Sequence, residues 1–137
     1  MGLTVIDAGV LIGFLDRNDA HHLGAEQALR NMIARSDQIV LPASAFAEAL
    51  VAPSRIGADA VATVRDLIDR VPVDVGPLDV DTSLAAAQLR ARHPALKLPD
   101  ALVVATAVTL DADHLVTTDR KWPSRSRLGL RAIITKI

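Results

Sequence analysis

The sequence contains no cysteine and no tyrosine, and only two phenylalanines and one tryptophan among its 137 residues. Without cysteine the chain can form no disulfide, no thiolate zinc site and no cysteine nucleophile. An aromatic content of 2% argues against RNA-binding modules that stack bases on aromatic platforms. A net charge of −1 provides no overall basic surface, so a nucleic-acid ligand would have to use a local patch or a bound metal.

Nothing in the sequence indicates export or a membrane span. The N-terminus has no basic segment and Asp7 interrupts its first apolar run, so we expect no signal peptide. The longest apolar run, residues 101–110, is far too short to cross a bilayer. We therefore expect no membrane association, and the lack of cysteine is compatible with a cytoplasmic location.

The length and composition fit one folded domain over residues 1–137. Half of the residues are apolar and 23% are charged, which argues against disorder. A chain of this length buries about two-thirds of its unfolded surface, enough for a hydrophobic core. No linker, repeat or low-complexity segment divides the sequence.

Short apolar runs alternate with amphipathic patterns along the chain. Strands are predicted at residues 3–6, 39–41, 71–75, 114–118 and 131–134. Helices are predicted at residues 10–15, 20–35, 59–70 and 101–110. Asp19, Ser44 and Asp81 are predicted helix caps, and Pro53 is predicted to end the helix that Ser44 starts. Strands alternating with helices imply an α/β fold whose mainly parallel sheet is covered on both faces.

Four acidic residues stand beside strongly apolar sequence, where strands end or helices begin. They are Asp7, Glu48, Asp100 and Asp119, in the segments TVIDAGVLIGF, ASAFAEALV, LPDALVVATAV and LVTTD. A carboxylate in such a setting is costly unless something offsets its charge. Each alone has an ordinary explanation as a turn, a surface charge or a helix end. The four together favour a divalent-metal site.

The expected topology brings these carboxylates to one edge of the sheet. Asp7 and Asp119 each follow a strand directly, and ligands bind outside the carboxyl ends of parallel strands. Asp100 opens a buried helix and Glu48 lies one turn into another, so both can reach the same edge. Two carboxylates 4 Å apart repel by roughly 4 kcal/mol at an effective dielectric of 20. Ligands that are all oxygens favour Mg²⁺ or Mn²⁺, ions that support phosphodiester hydrolysis by activating water.

Taken in order, the segments VIDAGVLIGFLD, LPASAFAEAL, LPDALVVATAV and LVTTDRKW resemble a PIN-domain ribonuclease of the VapC type, the toxin of a bacterial toxin–antitoxin pair. The resemblance covers the whole chain and rests on the order and spacing of these motifs. It implies a three-layer α/β/α domain in which Asp7, Glu48, Asp100 and Asp119 are the catalytic and metal-binding residues. It also implies RNA cleavage dependent on Mg²⁺ or Mn²⁺, a homodimer, and inhibition by a cognate antitoxin protein.

The two residues after the first aspartate depart from that family. It often has Thr or Ser, and then Ser, Thr or Asn, where this chain has Ala8 and Gly9. The missing hydroxyl is expected to weaken metal binding or to shift a coordinating water. Thr117 matches the family's Thr-x-Asp pattern, and its hydroxyl is expected to orient Asp119 or a metal-bound water.

Basic residues follow the last of the four acids. Arg120, Lys121 and Arg125 lie in a segment that would ordinarily be a solvated loop. Beside the expected site, the same three residues are candidates for contacts with RNA phosphates. An apolar groove between helices of the N-terminal half is a candidate for binding an antitoxin helix.

Other functions remain compatible with the residues. A PIN nuclease of RNA processing would have no antitoxin, so an antitoxin gene immediately upstream would argue against it. A non-catalytic phospho-receiver signalling domain also binds Mg²⁺ at strand ends, but it needs an aspartate after the third strand and a lysine late in the chain. Here Gly76 and Pro77 follow that strand, and Lys136 stands at the extreme terminus. A purely structural module would tolerate loss of the carboxylates.

Overall fold

Five short strands form one sheet in which every neighbouring pair is parallel. The computed structural model describes residues 1–137. The strands are β1 (Leu3–Ile6), β2 (Gln38–Pro42), β3 (Val73–Gly76), β4 (His114–Thr117) and β5 (Ile133–Lys136). Their order across the sheet is β3-β2-β1-β4-β5. The prediction of a parallel sheet is confirmed, and the final strand begins two residues later than expected.

Seven helices connect these strands. They are α1 (Ala8–Leu15), α2 (His22–Ala34), α3 (Ala43–Ile56), α4 (Ala58–Arg70), α5 (Val80–Arg92), α6 (Leu98–Thr109) and α7 (Arg125–Leu128). The chain crosses the sheet in one direction from β1 to β3 and returns in the other direction to β4 and β5. Right-handed crossovers then place the helices of the two halves on opposite faces, which confirms the predicted three-layer α/β/α fold. No helix combines the length and apolar character needed to span a membrane.

Two helices begin at residues other than those predicted. The cap of α5 is Asp79, whose side chain accepts a hydrogen bond of 2.9 Å from the Thr82 N–H. Asp81 therefore lies inside the first turn instead of capping it. Asp19 accepts a bond of 2.8 Å from the N–H of His21, which makes a tight turn just before α2 instead of capping that helix.

Helix α3 also differs at both ends from the prediction. It starts directly after Pro42, so Ser44 lies in its first turn and makes no capping bond. Pro53 sits inside the helix, which continues to Ile56. The last turn closes through the Gly57 N–H to the Pro53 carbonyl, at 3.0 Å. Gly57 has φ 151°, a backbone conformation that glycine adopts readily, and the helix ends there.

Strands and helices bury one hydrophobic core of 31 residues. Val5, Ile6 and Leu115 are completely buried although neighbouring strand residues point to opposite faces. This is the pattern of a parallel sheet covered on both sides. Helix α6 is buried nearly all round, as predicted, and this fixes the position of the acidic residue in its first turn.

The amino ends of the strands are held by paired carboxylates. Asp37 accepts a hydrogen bond of 2.7 Å from Arg35, which together with other hydrogen bonds lowers the Asp37 pKa against the effect of desolvation. Asp113 accepts the Leu3 N–H at 2.8 Å and a bond from Arg131 at 3.1 Å, and its pKa is lowered by these contacts. Arg131 was predicted to begin the last strand, but backbone pairing with β4 starts only at Ile133, so Arg131 precedes β5.

Candidate active site

Asp7 is the one acidic residue that is buried, with 7% of its surface exposed. It follows β1 directly and caps α1, accepting the Val10 N–H at 3.0 Å. Its own N–H donates to the Val116 carbonyl of β4 at 3.2 Å. After β1 the chain crosses to β2 on one side, and after β4 it crosses to β5 on the other side. In an open parallel sheet a crevice forms between two strands whose connections diverge in this way, and Asp7 lies there.

A chain of three hydrogen bonds runs from this carboxylate through the end of β4 into the loop that follows it. The completely buried Thr117 donates its hydroxyl hydrogen to Asp7. The same hydroxyl oxygen accepts the Asp119 N–H at 3.0 Å. Asp119 in turn accepts the Lys121 N–H at 2.8 Å through one carboxylate oxygen. Thr117 therefore fixes the Asp7 side chain and the Asp119 backbone with a single hydroxyl group.

The remaining two acids approach from helices. Asp100 lies in the first turn of α6, after Pro99, and is half-buried. Positive partial charge at a helix start favours a carboxylate there. Glu48 projects from the second turn of α3 and is exposed.

The four carboxylates share one electrostatic field. Burial, together with the negative charges of the other three acids, raises the pKa of Asp100 to about 6. Burial also raises the pKa of Asp7, against its hydrogen bonds from Thr117 and Val10. Desolvation and the charge of Asp7 raise the pKa of Glu48. Each shift means that the site disfavours its own negative charges and would be stabilised by a cation.

The donor set fits a hard divalent cation in chemistry and charge. All four side chains offer oxygen atoms, and no cysteine or histidine belongs to the set. No three acidic or histidine side chains stand close enough together to hold an ion as they are arranged. Mg²⁺ keeps several of its waters, so carboxylates that stand apart can still bind it through water or after small rotamer changes.

The space beside Gly9 is filled by Thr118. A Cβ atom on Gly9 would lie 2.1 Å from the Thr118 hydroxyl oxygen and 3.1 Å from its Cβ. The close approach of α1 to the loop after β4 therefore requires glycine. The hydroxyl group that was predicted to be missing at the start of α1 is supplied by Thr118. The Thr118 backbone N–H also contributes a hydrogen bond that lowers the Asp7 pKa.

The predicted RNA-binding residues differ in their freedom to contact a ligand. Arg125 donates through Nε to the Leu130 carbonyl at 3.2 Å and through its guanidinium to the Arg131 carbonyl. These bonds tie Arg125 to its own loop. Arg120 and Lys121 are exposed, and neither side chain takes part in any of the ion pairs.

Two further features were missed at the sequence level. Lys97, just before α6, lines a cavity with Asp100 and Lys121. The sequence held a signal for this positive charge, because residues 82–99 contain no acidic residue. The stretch lies far from Asp119 in the sequence, so its closeness to the site could not be predicted. No sequence pattern indicated the contact between Gly9 and Thr118, because this contact depends on how closely α1 approaches the loop after β4.

The raised pKa values predict an unusual pH dependence for the metal-free protein. A carboxyl group with a raised folded-state pKa stabilises the fold below its unfolded pKa, and this contribution is lost as pH rises through the folded value. We expect Tm in chelator to rise when pH falls from about 7.5 to about 5.5, because Asp100 takes up a proton. Differential scanning calorimetry would measure this, and a falling Tm over that interval would contradict it.

The fold and the site define a class of three-layer α/β domains that carry acidic side chains at the carboxyl edge of a parallel sheet. Within that class, this chain belongs to the PIN domain family, whose family model matches residues 4–128. The predicted PIN-domain resemblance is confirmed. A search by sequence among curated proteins found no significant match.

The solved structures that share the fold include the following three. VapBC2 from Rickettsia felis, bound to a DNA fragment from its promoter, has 14% identity and a TM-score of 0.74, with 98% of each chain covered. A toxin–antitoxin complex from Klebsiella pneumoniae has 24% identity and a TM-score of 0.68, covering 86% of this chain and 88% of that one. VapC20 of Mycobacterium tuberculosis, a toxin that cleaves the sarcin–ricin loop, has 16% identity and a TM-score of 0.66, covering 86% and 91%.

Proposed function

We propose that this protein is a metal-dependent endoribonuclease and the toxin of a toxin–antitoxin pair. The observation that carries the proposal is the carboxylate cluster, in which Asp7 is buried and the Asp100 pKa is raised to about 6. Membership of the PIN domain family supports nuclease chemistry. The toxin role is supported by the similarity to two toxin–antitoxin structures and to a toxin that cleaves the sarcin–ricin loop.

In the proposed mechanism, Asp7, Asp100 and Asp119 would hold one or two Mg²⁺ or Mn²⁺ ions, directly or through water. When bound, the metal supplies positive charge that stabilises the phosphate and makes a water molecule a better nucleophile. Glu48 is the most exposed of the four, so it can accept a hydrogen bond from the attacking water and orient it. Thr117 holds the Asp7 carboxylate and the Asp119 backbone in fixed positions relative to each other.

The reaction is tested by incubating purified protein with total cellular RNA in Mg²⁺, in Mn²⁺ and in chelator. We expect discrete fragments only with metal, and these should carry 5′-phosphate and 3′-hydroxyl ends because water is the nucleophile. Ends with 2′,3′-cyclic phosphate would contradict the mechanism, since they require the RNA's own 2′-hydroxyl group to attack. Folded protein that cleaves nothing under any metal would refute the proposed activity.

The proposed antitoxin partner has a candidate site next to the carboxylates. A groove of about 520 Å³ lies between α1, α3 and α4, and most of its lining is apolar. Ile12, Ala52 and Ile56 line it, and Ile56 is 81% exposed. Glu48 and Asp16 also line the groove. These features fit an amphipathic helix that places apolar residues in the groove and a basic residue near Glu48.

The groove is tested with the protein encoded beside this chain's gene. We expect Ala52→Glu to weaken binding of that protein and its inhibition of cleavage, because a charge would be buried in the apolar groove. Ala62→Glu is the matched control, since Ala62 is exposed on α4 but does not line the groove. Equal binding by both variants would place the partner elsewhere.

The proposal also includes a homodimer. Val80 and Leu84 lie one turn apart on α5 and are 74% and 58% exposed, so they offer an apolar strip to a second copy. Sedimentation equilibrium measures the oligomeric state, and a monomer at micromolar concentration would remove this part of the proposal.

A further inference from the structure

A second groove leads away from the carboxylates on the other side of the site. A cavity of about 410 Å³ begins at Asp100 and Asp119. A neighbouring cavity of about 330 Å³ continues outward. The two share Ala95, Lys121, Trp122 and Pro123 in their walls, so they form one continuous depression. We call this depression the basic groove.

The charge of the basic groove changes along its length. Its inner part is lined by two lysines, Lys97 and Lys121, as well as by the two aspartates. Its outer part is lined by Arg92 and Arg127 and contains no acidic residue. The two segments that form its walls belong to stretches 82–99 and 120–137, neither of which contains Asp or Glu. In a chain of net charge −1, this is a local concentration of positive charge.

The cations of the basic groove are free to bind a ligand. Arg92, Lys97, Lys121 and Arg127 are all exposed, and none takes part in any of the four ion pairs. Other basic residues nearby are already engaged. Arg90 donates to the Pro94 carbonyl at 2.7 Å.

The wall of the groove also indicates how a ligand would be recognised. Trp122 lies in the wall but is only 5% exposed, so its ring offers no platform for a stacked base. Its buried Nε1 has no hydrogen-bond partner in good geometry. Positive charges without an aromatic platform recognise phosphates and carry little base preference.

We propose that the basic groove holds the phosphate backbone of a single-stranded RNA segment adjoining the bond to be cleaved. The inference rests on the proposed nuclease function and adds the path of its substrate. The aspartates at the inner end receive the reacting phosphate with the metal, whereas Lys97 and Lys121 contact the next phosphate. Arg92 and Arg127 then hold the strand farther out.

The test is binding of a short fluorescent single-stranded RNA, measured by anisotropy in chelator so that no cleavage occurs. The double variant Arg92→Gln/Arg127→Gln is compared with the wild type over a range of salt concentrations. Each phosphate contact on a single strand contributes about 0.7 to the slope of log K against log salt. We expect the variant to bind roughly tenfold more weakly at low salt and to lose about 1.4 from that slope.

A matched control removes the same charge elsewhere. Arg65→Gln/Arg70→Gln replaces two exposed arginines on α4 and should leave the slope unchanged. An equal loss in control and groove variants would show that only net charge matters and would overturn the proposal. Tighter binding of duplex RNA than of single strands would overturn it too. If the wild-type protein binds RNA with the expected salt dependence but never cleaves it, the proposed nuclease function is wrong, whereas the proposed RNA binding by the basic groove is supported.

Discussion

Asp100→Asn is expected to abolish metal-dependent RNA cleavage while making the metal-free protein more stable. Because Asp100 would help to hold the metal, its loss would remove charge stabilisation worth about 10²- to 10³-fold in rate. The same change removes a carboxylate whose ionisation the site opposes, as the raised pKa shows. A gain of 1 kcal/mol raises Tm by about 4 °C for a domain of this size, so calorimetry above pH 7 should detect it.

The control for this prediction is Asp81→Asn. Asp81 occupies the first turn of α5, as Asp100 does in α6, but it is exposed and lies outside the carboxylate cluster. We expect its replacement to leave cleavage unchanged and to lower stability slightly, because a helix start favours an acidic residue. If Asp100→Asn retained full activity, or lost activity only through unfolding, the proposed role of Asp100 would be wrong.

Thr117→Val is expected to lower both stability and metal affinity. Valine has nearly the shape of threonine, but it leaves the Asp7 oxygen without a donor and the Asp119 N–H without an acceptor. Each polar group buried without a partner costs about 1–3 kcal/mol. Residues that orient metal ligands typically contribute about 10- to 100-fold to metal affinity. Titration calorimetry with Mn²⁺ and thermal unfolding in chelator measure the two effects separately.

Two control variants distinguish the effect of losing the Thr117 hydroxyl from the effect of altering a buried side chain. Thr117→Ser keeps the hydroxyl and should retain most of the metal affinity. Thr106→Val makes the same change at another buried threonine, whose hydroxyl bonds only to the Leu102 carbonyl within α6. We expect that control to leave metal binding intact. Mn²⁺ affinity that is equal in Thr117→Val and the wild type would show that Thr117 does not orient the site.

The architecture followed from features that are local in the sequence. Apolar runs alternating with amphipathic segments were enough to predict the parallel sheet and its two covering layers, because each pattern reflects which faces are buried. Helix ends were less predictable, since several residues compete to cap them. Asp79 outcompeted Asp81 because its extended backbone directs the carboxylate at the Thr82 N–H. Pro53 did not end α3, which continues to Ile56 and closes its last turn through the Gly57 N–H.

The positions of the acids could be predicted, but the contacts among their neighbours could not. Asp7 and Asp119 follow strands, and topology alone places both at the carboxyl edge. The inward bonds of Arg125 depend on the path of its own loop, which has no sequence pattern. The basic groove likewise combines Lys97 with Lys121 from segments that only the folded chain brings together.

The absent side chain at position 9 restricts the order in which this corner of the protein can evolve. Because a Cβ at Gly9 would collide with Thr118, a larger residue at position 9 becomes acceptable only after Thr118 has been replaced by a smaller one. If that smaller residue is alanine, neither position places a hydroxyl at the start of α1, and Thr117 alone donates a side-chain hydrogen bond to Asp7. A hydroxyl supplied from the loop and one supplied from the helix are thus alternative solutions that compete for the same space.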